Sequence, residues 1–346
     1  MKQIVPGSKP YLIETVVPGE LRLQATRSIA VSDLLEAAGV SRKRREQITE
    51  EGRLMSDAGP VRLTDTLEEG SSVKLVASQA IEREVKDPAE NASQPAHLLY
   101  QDPFIVIASK PAGILVHSDG TGREPDTLTA QVNTALEEQG LISTAQVLQR
   151  LDKDTSGCVL FSLCPDFQAA FDALVAGHAM HKYYLAVVKG SFPEGVTKLS
   201  APLGRDRHDP RRMRVASSGK SCLSIVRRVM YEKGYSLVLV APKTGRKHQI
   251  RVHLAFRGFP IVGDPLYGAG GGPALPHPER VQLPNGEMVA TTLLLHCWEE
   301  RFIHPVMGEE VSVRAPLTEM FLRLFEVKEM RKALQNAMKL EEKRDM

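Results

Sequence analysis

The sequence predicts an α+β protein built from more than one domain, and three observations carry that prediction. Short runs rich in β-branched and aromatic residues, such as Phe104–Ser109 and Lys182–Val188, are interspersed with helical stripes such as Phe167, Phe171, Leu174 and Val175. A charged stretch over 78–97, punctuated by Pro88, Asn91, Ser93 and Pro95, has the composition of a linker. The chain has 346 residues, 42% hydrophobic and 25% charged, enough for two or three domains with a sizeable core.

Taken in order, residues 1 to about 12 read as an irregular lead-in. Val31–Gly39 then reads as a helix, with Gly39 suited to the left-handed position after its end. Ser41 stands as the cap of a second helix carrying Arg42, Lys43, Arg44 and Arg45, and short strands are expected around Leu54, Val61–Leu63 and Val73–Val76. The basic helix is either a solvated face or a contact for a phosphate backbone. Beyond the linker, Phe104–Ser109 is a strand, Lys110–Gly113 a turn, Ile114–His117 a resumed strand and Thr127–Glu138 a helix. Asp166 is expected to cap a helix that ends at Gly177.

Lys182–Val188 follows as a strand, its side chains alternating between two faces. Arg205–Arg212 is too polar for a core and reads as an exposed loop, either a solvated hairpin tip or a grip on nucleic acid. Tyr235–Val240 is a strand, and a turn at Lys243–Gly245 leads into a helix over Arg246–Phe256. The segment from Phe259 through Ala269–Gly272 is turn-rich. Strands are expected near Thr292–Cys297, Glu300–Ile303 and Val311–Val313, and the tail after Pro316 is a charged amphipathic helix packed on the surface. The division that follows is 13–80, a linker at 81–97, a main domain at 98–325 and a helical tail at 326–346.

Bulk charge is uninformative: 44 basic residues face 42 acidic ones, a net charge of +2. The basic clusters at Arg42–Arg45, Arg205–Arg214 and Lys243–Arg251 say more, because local patches decide binding to phosphates. Four cysteines without paired spacing suggest a reduced, cytoplasmic setting, and neither an export signal nor a membrane span is read. His248 and His253 are five apart, so a helix would point them in different directions, away from a shared zinc.

Gln149–Gly157 (Q-R-L-D-K-D-T-S-G) is the stretch around which the rest is organised. Asp152, Asp154, Thr155 and Ser156 can bond their own backbone, Gly157 can take a positive φ, and the apolar run Cys158–Phe161 follows as a buried strand. Such a loop is either a plain turn or a place to hold a carboxylate beside an arginine.

Five segments in order decide between the two. They are Lys110-Pro111-x-Gly113 with His117; Arg150-Leu151-Asp152-x-x-Thr155-Ser156-Gly157; and Lys182-x-Tyr184-x-Ala186. After these come Thr244-Gly245-Arg246-x-His248-Gln249-Ile250-Arg251-Val252-His253-Leu254 and Gly258-x-Pro260-Ile261-x-Gly263-Asp264-x-x-Tyr267-Gly268. Together they resemble the RluA family of RNA pseudouridine synthases over roughly residues 97–325. The N-terminal unit resembles the alpha-L RNA-binding module, named from a small-subunit ribosomal protein. Two departures stand out: Gln149 where the family has His, and Lys247 where it has Thr.

The resemblance implies a mixed, mainly antiparallel sheet in two halves about a central cleft, with the small module on a tether. It implies Asp152 as nucleophile, attacking either the sugar or the base, Arg251 as its partner, and Tyr184 stacked on the uracil and assisting proton removal from carbon 5. Arg150, Thr155, Lys182, Arg205, Arg211, Arg212, Arg246, His248 and Gln249 are expected to contact substrate. No metal or other cofactor is called for. The expected partner is RNA, ribosomal RNA from the large subunit before transfer RNA, for a monomeric enzyme. An inactive RNA-binding protein on the same fold is the alternative from another class. A carboxylate hydrolase is disfavoured for want of a second acidic residue in a partner role.

Overall fold

The computed structural model describes residues 9–17, 20–76, 94–118, 126–141, 144–268 and 279–345. Most of the expected linker and the Ala269–Gly272 loop lie outside the described residues.

The N-terminal unit is a five-stranded antiparallel sheet with two helices. Its strands are β1 (Tyr11–Val17), β2 (Glu20–Ala25), β3 (Leu54–Ser56), β4 (Ser72–Val76) and a short Gly59–Pro60 strand, in the order β1-β2-β4-β3 followed by that strand. Helix α1 (Val31–Ala37) buries Val31, Leu34 and Leu35, and Gly39 beyond it takes a φ of 94°. Helix α2 (Arg42–Glu50) follows Ser41, which holds the cap position without a side-chain hydrogen bond. Strand pairing begins at Tyr11, inside the expected lead-in, and Val61–Leu63 is no strand; the pairing falls on Gly59–Pro60 and Thr66–Leu67 instead.

The main unit is one ten-stranded sheet. In chain order its principal strands are β5 (His97–Gln101), β6 (Ile105–Lys110), β7 (Ser156–Ser162), β8 (His181–Lys189), β9 (Val196–Leu199), β10 (Ser224–Glu232), β11 (Tyr235–Pro242), β12 (Leu295–Ile303) and β13 (Glu310–Arg314). The order across the sheet is β9-β10-β11-β8-β12-β7-β6-β5, with β13 on β12 and a Gln146–Val147 strand on β7. Every pairing is antiparallel except β7 with β12, which is parallel and only two residue pairs long: Ser156 with His296 and Gly157 with Cys297. The expected two halves are therefore real, and they are sewn together at this short seam.

Helix α3 (Leu128–Glu138) is capped by Thr127, whose side chain accepts the Ala130 N–H. Ile114–His117 does not resume a strand; only Leu115 makes a bridge, to Thr127. The two strands expected at Thr292–Cys297 and Glu300–Ile303 are one, β12. Helix α5 (Gln249–Phe256) starts three residues later than expected, because His248 sits in the left-handed conformation at φ 55°. The tail is not a mere surface helix. It forms α6 (Glu319–Leu324) and α7 (Val327–Asp345), and α7 buries Met330, Leu334, Ala337 and Met338 in the core beneath β10 and β11.

Asp166 is no helix cap. A 3₁₀ turn at Pro165–Phe167 precedes α4 (Gln168–Ala176), and Asp166 is buried, receiving Arg53 Nη1 and Nη2 at 2.8 and 3.0 Å. The N-terminal unit thus packs directly on the main sheet rather than hanging from a tether. One apolar cluster joins Leu23, Leu35 and Ile48 to Phe104, Phe167 and Phe171, and Lys9 reaches the carbonyls of Pro305 and Val306.

Candidate active site

Gln149–Gly157 enters the seam. Gly157 has a φ of 115°, and a Cβ there would overlap the Cys297 backbone, so the close approach of β7 and β12 requires glycine. Ser156 Oγ lies 2.8 Å from His296 Nδ1 and fastens the same point from the side-chain face. The loop ahead of it is gathered by Lys110 at the end of β6. That buried ammonium donates to the carbonyls of Pro111, Lys153 and Thr155 at 2.8, 2.6 and 2.9 Å. Burial pulls its pKa down to about 8, yet three carbonyl partners supply what water would. Gly113 N–H adds a bond to Lys153 O at 3.0 Å.

Asp152 leaves this loop partly open to solvent, at 26% side-chain exposure. Its Oδ2 is 3.0 Å from Arg251 Nη1. Arg251 projects from α5 and is buried, and its other edge is clamped by Asp264, with Nε to Oδ2 at 2.8 Å and Nη2 to Oδ1 at 2.9 Å. Burial opposes the charge on Arg251, but the bonds to Asp264 and then Asp152 outweigh it and raise its pKa above the ordinary value. One cation is thus fixed by one carboxylate and presented to another.

His248 completes the pocket. Met213 N–H donates to Tyr267 Oη at 2.7 Å, and His248 Nδ1 lies 2.7 Å from the same hydroxyl. The other ring nitrogen of His248, Nε2, faces Asp152 Oδ2 at 3.7 Å. Burial, ahead of the opposing pull of Asp152, lowers the His248 pKa to about 4, so the ring is neutral near pH 7.

Tyr184 lies on β8, opposite Cys297 of β12. Burial foremost, with Cys297, Glu300 and Asp152 as neighbours, raises its phenol well above the ordinary value, which keeps it protonated. Lys182 lies opposite Glu300 on the same pair of strands. Gln149, at the histidine position of the family, turns its amide into the protein and donates to Glu300 Oε1.

The residues expected at the substrate separate into exposed and buried ones. Arg150, Arg205, Arg211 and Arg246 are exposed. Arg205 and Arg212 flank a hairpin of Leu203–Arg205 with Met213–Val215, and Arg211 pairs with Asp209 at its tip. The Tyr267 ring ties this hairpin to the pocket, with the Arg212 guanidinium 5.3 Å and the Arg251 guanidinium 5.2 Å from its centroid. Two residues expected at the substrate are instead buried. Gln249 spends its amide on Leu223 O, Ser224 Oγ, Thr244 Oγ1 and Arg246 N, which organises the start of α5. Thr155 is buried beside Lys110.

His253 points away from His248, toward Ser224 and Ala201, and the described residues hold no cluster suited to a metal ion. The residues that sequence reasoning left without a role are Asp264, Tyr267, Lys110 and Glu300. The first three lie inside quoted motifs, whose spacing could have flagged them; nothing local marks Glu300.

Comparison with known proteins supplies the family. A family model described as RNA pseudouridylate synthase matches residues 104–256. The chain is 32% identical over 294 residues to ribosomal large subunit pseudouridine synthase D of Xanthomonas campestris pv. campestris, covering 82% of this chain and 83% of that one. It is 31% identical to tRNA pseudouridine synthase C of Vibrio vulnificus, over 66% of this chain and 94% of the relative. Among solved structures, human RNA pseudouridylate synthase domain containing 4 superposes with a TM-score of 0.51 at 21% identity, over 70% of this chain and 95% of that one, a likeness of fold. A shared sequence over most of the chain, joined to the shared fold, makes this protein a member of the RluA family of RNA pseudouridine synthases.

Proposed function

We propose that the protein isomerises uridines of large-subunit ribosomal RNA with Asp152 as nucleophile and without a cofactor. The carrying observation is the Asp264–Arg251–Asp152 arrangement, in which a guanidinium fixed by a buried carboxylate is held 3.0 Å from a second, solvent-accessible one. The reaction breaks the bond from the sugar to N1, forms one from the sugar to carbon 5, and moves a proton from carbon 5 to solvent while N1 gains one. Asp152 attacks and later leaves, on the sugar or on the base, with His248 Nε2 standing 3.7 Å from the same oxygen that Arg251 holds. Tyr184 bears on the turning uracil in its neutral form, so any proton it takes from carbon 5 requires it to pass on its own.

The target base must leave its stack, at a cost of a few kcal/mol. The Arg205–Arg214 hairpin, linked to the pocket through Tyr267, is suited to gripping the distorted backbone, together with Arg150, Lys182 and Arg246. The alpha-L-like unit, with Arg42 and Lys43 exposed on α2, is assigned a second RNA contact.

A hydrolytic role fits poorly. Asp264, the carboxylate that shares Arg251 with Asp152, gives both oxygens to Arg251 and receives the N–H groups of Leu266 and Tyr267. Transfer RNA is the second reading, favoured by the likeness to a tRNA synthase. The test is tritium release from carbon 5 of labelled ribosomal and transfer RNA, comparing wild type with Asp152→Ala. Release from ribosomal RNA by wild type alone is expected. Release from transfer RNA only would change the substrate, and release by Asp152→Ala near the wild-type rate would remove the nucleophile.

A further inference from the structure

Beneath the pocket lies a polar cluster that the reaction as described does not use. Gln149 Nε2 donates to Glu300 Oε1, and Cys297 Sγ approaches the same oxygen at 3.8 Å. Tyr184 lies opposite Cys297 across the strand pair. Glu300 has no exposed surface, and Gln149 is also buried. Two atoms of this cluster, Gln149 Oε1 and Glu300 Oε2, are buried without a hydrogen-bond partner. Both are acceptors if Glu300 is ionised, and two orphaned buried acceptors in one contact are costly.

A proton on Glu300 Oε2 resolves both at once, since the carboxyl hydroxyl can donate to Gln149 Oε1 while the amide N–H donates to Oε1. An amide offers one donor edge and one acceptor edge, so exchanging its O and N leaves the same requirement. We infer that Gln149 and Glu300 form a reciprocal amide–carboxylic acid pair, with Glu300 a neutral positioning residue that fixes the entry to the Asp152 loop. The inference rests on the reading of Asp152 as nucleophile only for its effect on turnover; the pair itself does not depend on it.

The groups that face Glu300 are Lys182 and Tyr184 from β8, Cys158 from β7, Cys297 on its own strand and Gln149 from the loop. Lys182 is half-buried and acts through space in favour of ionisation, whereas complete burial acts against it and prevails. This gives the Gln149 substitution a meaning. A protonated imidazole at 149 would be a cation against Glu300 and would hold it ionised; an amide matches it as a neutral acid.

The decisive measurement is infrared spectroscopy of the folded full chain in D₂O with 13C-labelled glutamate, near pH 7. Wild type is expected to show a protonated-carboxyl band that is absent in Glu300→Gln and lost in Gln149→His. Glu300→Gln, which can form a reciprocal amide pair, is expected to keep turnover within about threefold of wild type near pH 7. A missing acid band in wild type would overturn the inference, as would an acid band that persists in Glu300→Gln. Neither result would bear on Asp152, which the tritium comparison tests separately.

Discussion

Replacing Asp264 by Asn tests the arrangement on which catalysis is argued to depend. The change preserves volume and one acceptor oxygen, so the N–H groups of Leu266 and Tyr267 can still be satisfied. It removes the charge that opposes Arg251 from within and turns a donor toward Arg251 Nε, which now meets an oxygen at 2.8 Å. Removing one partner of a buried pair costs about 3–5 kcal/mol of stability, because the other charge is left behind. Part is recovered here, since Asp152 still faces the guanidinium at 3.0 Å; a loss of ~3 kcal/mol in urea unfolding is expected. A guanidinium freed from its clamp no longer presents Nη1 in one direction. If one charged hydrogen bond worth ~2–3 kcal/mol is lost from the transition state, kcat falls roughly 30- to 150-fold. KM for RNA should change little, because Arg251 is buried away from the basic surface. Single-turnover tritium release on folded enzyme gives the rate. Turnover within twofold of wild type, alongside lowered stability, would refute the reasoning and leave Asp264 a packing residue.

Two further outcomes follow from the seam. Gly157→Ala sets a Cβ into the Cys297 backbone at a positive φ, so it should cost ~3 kcal/mol or more and reduce turnover at least tenfold, read by urea unfolding with release assays on the folded fraction. His296, buried beside Ser156, has its pKa lowered by burial to about 4. A depressed base of this kind contributes stability above its unfolded pKa of 6.5 that is lost as pH falls toward 4, about 2 kcal/mol of it by pH 5. His296→Gln should flatten part of that decline between pH 7 and 5; an unchanged slope would remove His296 from the account, while His248 contributes in the same direction.

Much of the architecture was legible because local chemistry and tertiary context agree. The strand Lys182–Val188, the helix over 127–138 and the positive φ of Gly39 after its helix each obey rules that need no distant partner. Legibility failed where a distant partner decides. Asp166 looks like a helix cap until Arg53, 113 positions away, takes both its oxygens. Gln249 looks like a substrate donor until the carbonyl of Leu223 and the hydroxyl of Ser224 claim its amide. The register of α7 is amphipathic on inspection, but only the fold shows that its apolar face roofs part of the core rather than lying on the surface. Asp152 and Arg251 were found through motifs, and the 99 positions separating them are closed by the sheet, not by anything readable in either segment.

The docking of the N-terminal unit changes what that unit can contribute to selecting RNA. A module on a flexible chain raises the local concentration of substrate and accepts any site within reach. A module clamped through Arg53 and Asp166, and sealed by a shared apolar cluster, sets α2 at one separation from Asp152. If RNA is held at both places, as proposed, the protein would work as a caliper. A uridine in the right sequence but at the wrong span from the second contact would not reach the carboxylate, so discrimination would come from the geometry of the folded RNA.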